Sequence, residues 1–95
     1  MSLEGSVALV TGGGRGVGRA IALGLAEDGA TVAVNYRRDD GAASETVSLI
    51  EAAGGRAKAY QASVDDLEED EKMVNQILDD LGPVSILVNN AGIAS

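Results

Sequence analysis

The chain reads as an α/β protein built on a doubly wound parallel sheet, and three observations lead there. Short apolar runs alternate with helical patterns in the order β-α-β-α-β-α-β. The connections between them are brief, so each helix serves as the crossover between parallel strands. Aromatic residues make up only 2% of the composition, which leaves Val, Ile, Leu and Ala to fill the core, the usual content of a sheet covered on both faces.

The first strand is expected at Val7–Val10, a run without a polar residue. The helix after it is expected from Gly16 to Asp28, with Val17, Ile21 and Leu25 as its apolar stripe and Gly29-Ala30 as its stop. Thr31–Tyr36 is the second strand. The next helix, 41–53, places Ala43, Val47 and Ile50 on one face and stops at Gly54-Gly55. A third strand follows at 57–62. The third helix, 67–81, turns Met73, Val74, Ile77, Leu78 and Leu81 inward and closes at Gly82-Pro83. Ser85–Asn89 is the fourth strand. No linker, low-complexity tract or second-domain boundary interrupts the 95 residues, so a single domain is expected.

Charge narrows the function. Seven basic residues stand against fifteen acids, an overall balance that argues against general nucleic-acid binding. The imbalance is local, however. Up to Arg38 there are four arginines and three acids, and Arg15, Arg19, Arg37 and Arg38 cluster in a way that suits an anion. No apolar run reaches membrane-spanning length, and Met1-Ser2-Leu3-Glu4 has no signal-peptide character, so a cytoplasmic protein is expected. With no cysteine there is no disulfide framework, and with no histidine the commonest acid/base group and metal ligand is missing. The acid run Asp65–Glu71 is read as the negative start of a helix, with Asp65 or Asp66 as its cap, and no metal site is assigned.

The chemistry is concentrated at two places. Thr11-Gly12-Gly13-Gly14-Arg15-Gly16-Val17-Gly18 joins the first strand to the first helix. A strand, a glycine-rich turn and a helix in that order bring backbone N–H groups and the positive end of a helix dipole up to an anion. A phosphate-binding P-loop would need Lys and then Ser or Thr after its last glycine, but here Gly18 is followed by Arg19-Ala20. The spacing G-x-G-x-x-G does not fit either; T-G-x-x-x-G-x-G does, on Thr11, Gly12, Gly16 and Gly18. A plain tight turn, its glycines serving only positive φ, is the competing reading of this loop alone. The second place is Asn89-Asn90-Ala91-Gly92. With a strand order of 3-2-1-4, strand 4 lies beside strand 1, and the two motifs meet at the switch point where such sheets bind ligands.

Together these motifs, the βα rhythm and the run Gly16-Val17-Gly18-Arg19-Ala20-Ile21-Ala22 resemble the short-chain dehydrogenase/reductase family, of the 3-oxoacyl-acyl-carrier-protein reductase type. The resemblance runs from Glu4 to the end of the sequence. It implies a Rossmann-type sheet whose glycine loop, with Gly12, Gly14, Arg15, Gly16, Val17 and Gly18, holds a dinucleotide's diphosphate. It further implies that Asn90, Ala91 and Gly92 line the adenosine ribose, and that Ser63 and Val64 stand beside the adenine. Ser63 departs from the family's usual Asp, and Ser85 from the Asp that usually precedes the fourth strand. The implied activity is hydride transfer between a nicotinamide and a small-molecule carbonyl or alcohol.

At the end of strand 2, where an acid would bind the ribose 2′-OH of NAD, the chain has Tyr36, followed by Arg37 and Arg38. Arg37 with Arg15 suits a 2′-phosphate, so NADP(H) is expected over NAD(H). Arg19 is assigned to the helix surface. No catalytic residue is assigned: four residues after Tyr36 and Tyr60 stand Asp40 and Val64, so the family's Tyr-x-x-x-Lys is absent from these residues. The 95 residues are therefore read as the N-terminal, cofactor-binding half of a longer reductase. Ile86-Leu87-Val88 would otherwise be an apolar sheet edge without a protecting charge. The alternatives are a non-catalytic nucleotide-binding module and an S-adenosylmethionine-dependent methyltransferase, the latter disfavoured by Tyr36-Arg37. Family members usually form tetramers through helices beyond this stretch, so a homo-oligomer is left open.

Overall fold

A computed structural model describes residues 2–91. Four parallel strands, β1 (Val7–Thr11), β2 (Thr31–Tyr36), β3 (Arg56–Gln61) and β4 (Ile86–Asn89), form one sheet in the order β3-β2-β1-β4. Three helices connect them: α1 (Gly16–Glu27), α2 (Asp40–Ala52) and α3 (Leu67–Asp80). Each expected element is present, with ends shifted by one residue at most. The register aligns Val10 with Val34 and with Val88, so the carboxyl ends of β1, β2 and β4 finish side by side.

The alternation along β1 sorts the core into two layers. Ala8 and Val10, with Val32 and Val34 of β2, pack under α1 and α2 against Ala22, Ala43 and Ile50. Val7 and Leu9, with Ala33, face the other way and meet Tyr60, Met73 and Ile77 under α3. Burial on both faces is why Val7–Val10 of β1 and 32–34 of β2 are entirely apolar.

Two of the expected apolar stripes are turned from their predicted directions. The buried residues of α1 are Gly18 and Ala22, whereas Val17 is 68% exposed and Ile21 and Leu25 are half-buried. Gly18 lets α1 lie close on the glycine loop and Ala22 packs on the sheet, which leaves Val17 turned outward. On α3 only Met73 and Ile77 are fully buried, while Val74 and Leu78 are 39% and 50% exposed. Val74 lines a groove with Leu87 of β4, which is itself exposed. β4 is an edge strand of the described sheet. Ser85 donates its backbone N–H to the Val7 carbonyl at 2.9 Å, holding the start of β4 without the family's Asp.

Candidate functional site

The loop between β1 and α1 is shaped by two glycines with left-handed backbones, Gly12 (φ 65°) and Gly16 (φ 59°). Between them the chain doubles back over the sheet. The Gly12 N–H donates to the Asn35 side-chain oxygen at 3.3 Å, and the Gly13 N–H to the Asn35 carbonyl at 3.0 Å. Asn35 turns its amide nitrogen the other way, to the Ala62 carbonyl at 3.1 Å. One buried side chain in β2 thus ties the glycine loop to the end of β3.

Close approach, not backbone freedom, is what demands glycine at position 18. A Cβ there would collide with the Gly12 carbonyl oxygen and come within 2.7 Å of the Asn90 amide nitrogen. At Gly14 a Cβ would come within 3.3 Å of the Ala43 nitrogen, so the loop also rests against the start of α2.

The end of β4 is fastened to the same loop. Thr11 Oγ1 accepts from the N–H groups of Asn90 (2.9 Å) and Ala91 (3.0 Å), and Asn90 Nδ2 donates to the Gly12 carbonyl at 3.2 Å. The two motifs separated by nearly the whole sequence therefore meet, as expected, at the carboxyl edge of β1 and β4.

Arg19 departs from its expected place on the helix surface. Its guanidinium donates to the carbonyls of Gly14 (2.8 Å) and Ala42 (3.0 Å) and to Thr46 Oγ1 (2.9 Å), and it pairs with Glu45 at 2.9 Å. The Gly14 carbonyl also accepts from Thr46 Oγ1 at 3.0 Å, so Arg19 and Thr46 together fix this part of the loop against α2. Arg19 is thus a strut between the glycine loop and α2, and the arginines of the expected cluster that line a cavity are Arg15, Arg37 and Arg38. Asn35, Arg19 and Thr46 were not among the expected site residues. A polar residue inside an apolar strand, and a Thr on the buried face of α2, each needed a partner, and that was the available signal.

Two neighbouring cavities share Gly12 and Arg37. The larger, about 400 Å³, is lined by the expected residues Gly12, Gly14, Arg15, Tyr36, Arg37 and Arg38, and also by Asp39 and Ala42. The smaller, about 170 Å³, brings in Ser63, Val64 and Ala91 together with Asn35. Gly16 and Val17 are exposed at the start of α1 beside the loop. Gly92 lies outside the described residues. Arg15, the N-cap residue of α1, makes no side-chain capping bond, and the first turn of α1 carries no acid. The other two helices are capped by Asp39 and Asp66. Asp66 accepts from the N–H groups of Glu68 and Glu69, which bears out the capping reading of the acid run.

The remaining polar cluster lies away from the loop. Tyr60 donates to Asp80 at 2.9 Å, and Lys58 pairs with the same carboxylate at 2.8 Å. The Lys58 hydrogen bond and then that of Tyr60 hold the Asp80 carboxyl below its ordinary range. Burial, reinforced by Asp80, pushes the Tyr60 hydroxyl well above the usual tyrosine range. Among the described residues no helix is long and apolar enough to cross a membrane.

The family model for short chain dehydrogenases matches residues 6–95. The short-chain dehydrogenase/reductase homolog YusS of Bacillus subtilis is 48% identical over 93 residues, covering 98% of this chain and 85% of YusS. The 3-oxoacyl-[acyl-carrier-protein] reductase of Synechocystis is 46% identical over 92 residues, covering 97% of this chain and 37% of that enzyme. A dehydrogenase/reductase from Sinorhizobium meliloti superposes with a TM-score of 0.94 at 49% identity, covering 97% of this chain and 36% of that one. The chain thus spans little more than a third of two of these relatives and most of the other. With the family model matching nearly the whole chain and a relative 48% identical covered over 85% of its length, the chain belongs to the short-chain dehydrogenase family.

Proposed function

We propose that this chain binds a nicotinamide dinucleotide across the carboxyl ends of β1, β2 and β4, with NADP(H) preferred over NAD(H). The observation that carries the reading is the start of α1. Its first turn has no side-chain cap and no acid, and it opens beside a cavity rimmed by Arg15, Arg37 and Arg38. Backbone N–H groups left without partners at a helix start favour an anion. The diphosphate belongs over Gly12, Gly14, Gly16, Val17 and Gly18, where side chains are absent or turned outward. Ser63 and Val64 in the smaller cavity suit the adenine end, and Asn90 and Ala91 the ribose, to which the resemblance adds Gly92. Tyr36 stands where an acid would select the 2′-OH of NAD, and Arg37 and Arg38 beside it suit a 2′-phosphate.

In the whole enzyme the bound nicotinamide supplies or accepts the hydride, and a small-molecule carbonyl or alcohol is its partner. The residues of this chain hold and orient the cofactor; none of them is assigned to proton transfer. The names of the relatives, reductases and dehydrogenases, favour this over a non-catalytic module.

Calorimetric titration of the folded protein with NADPH and NADH tests the reading. Binding of NADPH tighter than NADH is expected, and Arg37→Asp should weaken NADPH by about tenfold, the scale of one charge-assisted hydrogen bond. Failure of both dinucleotides to bind would sink it. An unchanged NADPH affinity in Arg37→Asp would remove the 2′-phosphate contact from Arg37.

A further inference from the structure

We propose that Asp39 is a built-in counter-anion that competes with the cofactor's 2′-phosphate for Arg15, and so limits how far NADP(H) is preferred over NAD(H). The inference rests on the dinucleotide reading above and assigns a specificity-determining role to a residue outside the expected site.

Asp39 divides its carboxylate between two donors. Oδ2 sits 2.9 Å from the Arg15 guanidinium, and Oδ1 accepts from the Ala42 N–H at 2.9 Å. A guanidinium and a helix-start amide are the donors a phosphate oxygen uses. Asp39 therefore already occupies, inside the cavity, the kind of position that a 2′-phosphate would take. Both Arg15 and Asp39 line that cavity, together with Arg37 and Arg38.

The pair is well placed to exchange. The Arg15 side chain is 75% exposed and that of Asp39 48%, so the attraction is screened and weak. Arg15 can swing to an incoming phosphate at little cost. The carboxylate stays behind, however, because Ala42 holds its other oxygen as the cap of α2. It then faces the phosphate as a like charge. Arg19 cannot replace Arg15, since its guanidinium is committed to Gly14, Ala42, Thr46 and Glu45. Arg37 and Arg38 form no ion pair among the described residues and supply the attraction that remains. With NADH the conflict disappears, because a 2′-hydroxyl can donate to the same carboxylate.

The test compares NADPH and NADH affinities of the unmodified protein with those of Asp39→Asn and Asp39→Ser, at low and at high salt. Asn and Ser both keep a capping acceptor for Ala42, so α2 retains its start; thermal unfolding checks this. The ratio of NADPH to NADH affinity should rise about two- to fivefold in each variant at low salt, the scale of an exposed charge pair, and the gain should shrink at high salt. A ratio that stays fixed in both variants, or affinities that rise together, overturns the role of Asp39 while leaving dinucleotide binding intact. If the unmodified protein binds neither dinucleotide, the underlying reading falls and the inference goes with it.

Discussion

α1 and α3 both start at the carboxyl edge of the sheet, directly after a strand, yet they treat their first turns in opposite ways. α3 opens with Asp66 as its cap and Glu68, Glu69 and Asp70 in its first turn. Its own side chains satisfy the free N–H groups and balance the positive end of the helix dipole. α1 opens with Arg15, no side-chain cap and no acid, behind a loop in which Gly12 and Gly16 adopt left-handed backbones. A helix that brings its own anion is a structural element and nothing more. A helix that withholds one, and places arginines nearby, leaves its first donors uncapped, which is what the proposed dinucleotide site uses. α2 stands between the two: Asp39 caps it and also reaches Arg15 of the α1 loop.

The contrast can be broken most severely at Gly18, the residue that lets α1 sit against the loop. Gly18→Ala forces a methyl group into the Gly12 carbonyl and the Asn90 amide. A loss of roughly 3 kcal/mol in denaturant-measured stability is expected, with dinucleotide affinity lost alongside it. A fully stable Gly18→Ala protein with unchanged binding would mean that the loop is not held as described.

A milder and more informative pair exchanges the two helix starts. Asp66→Ala should cost about 1 kcal/mol of stability, as removal of a cap does, and leave NADPH affinity where it was. Arg15→Ser supplies α1 with the cap it lacks, on an N-cap backbone already extended (φ −157°, ψ 174°), at the cost of an exposed ion pair. Stability should change by less than about 1 kcal/mol. NADPH affinity should nevertheless fall severalfold, because a guanidinium is lost and a hydroxyl now occupies an anion-facing donor. Equal effects of the two substitutions on binding would erase the distinction between the two ends.

The smallest expected effect concerns the far end of α3, where Tyr60 and Lys58 share Asp80. The folded protein raises the Tyr60 hydroxyl above its unfolded value, so its contribution is complete below the ordinary tyrosine range near pH 10 and fades as pH climbs above it. Asp80, held low by Lys58 first and Tyr60 second, contributes above the ordinary carboxylate range and loses that contribution as pH falls below it. Stability against pH should therefore decline at both extremes. Tyr60→Phe should flatten the alkaline limb, measured by chemical denaturation between pH 8 and about 11. An alkaline limb of the same slope in Tyr60→Phe would assign it to other groups.

Much of this was legible in the residues. The βα order could be read because β1, β2 and β4 carry short apolar runs, β3 lies between the glycine that ends α2 and the acids that start α3, and each helix stops just before a glycine. The meeting of Thr11–Gly18 with Asn90 followed from the strand order, and the structure brings them together through Thr11 Oγ1 and Asn90 Nδ2. Arg19 was not legible. One residue past Gly18 on an amphipathic helix, it looks like a surface charge, and its partners Ala42 and Thr46 lie 23 and 27 residues away. Val17 was misread for a related reason. Periodicity marks which residues share a face, but the face that is buried is the one carrying Gly18 and Ala22, and Gly18 lies too close to Gly12 and Asn90 for any side chain.

By itself, then, the sequence determined the succession of elements, the glycine loop and the acid run that caps α3, since each depends on residues within a few positions of one another. Only the tertiary structure decided that Asn35 would fasten the loop to β3, that Arg19 would brace it against α2, and that Asp39 would meet Arg15. Those contacts join residues more than fifteen positions apart, and which donor finds which acceptor is settled by the strands that lie side by side and by the cost of leaving a buried carbonyl unpaired.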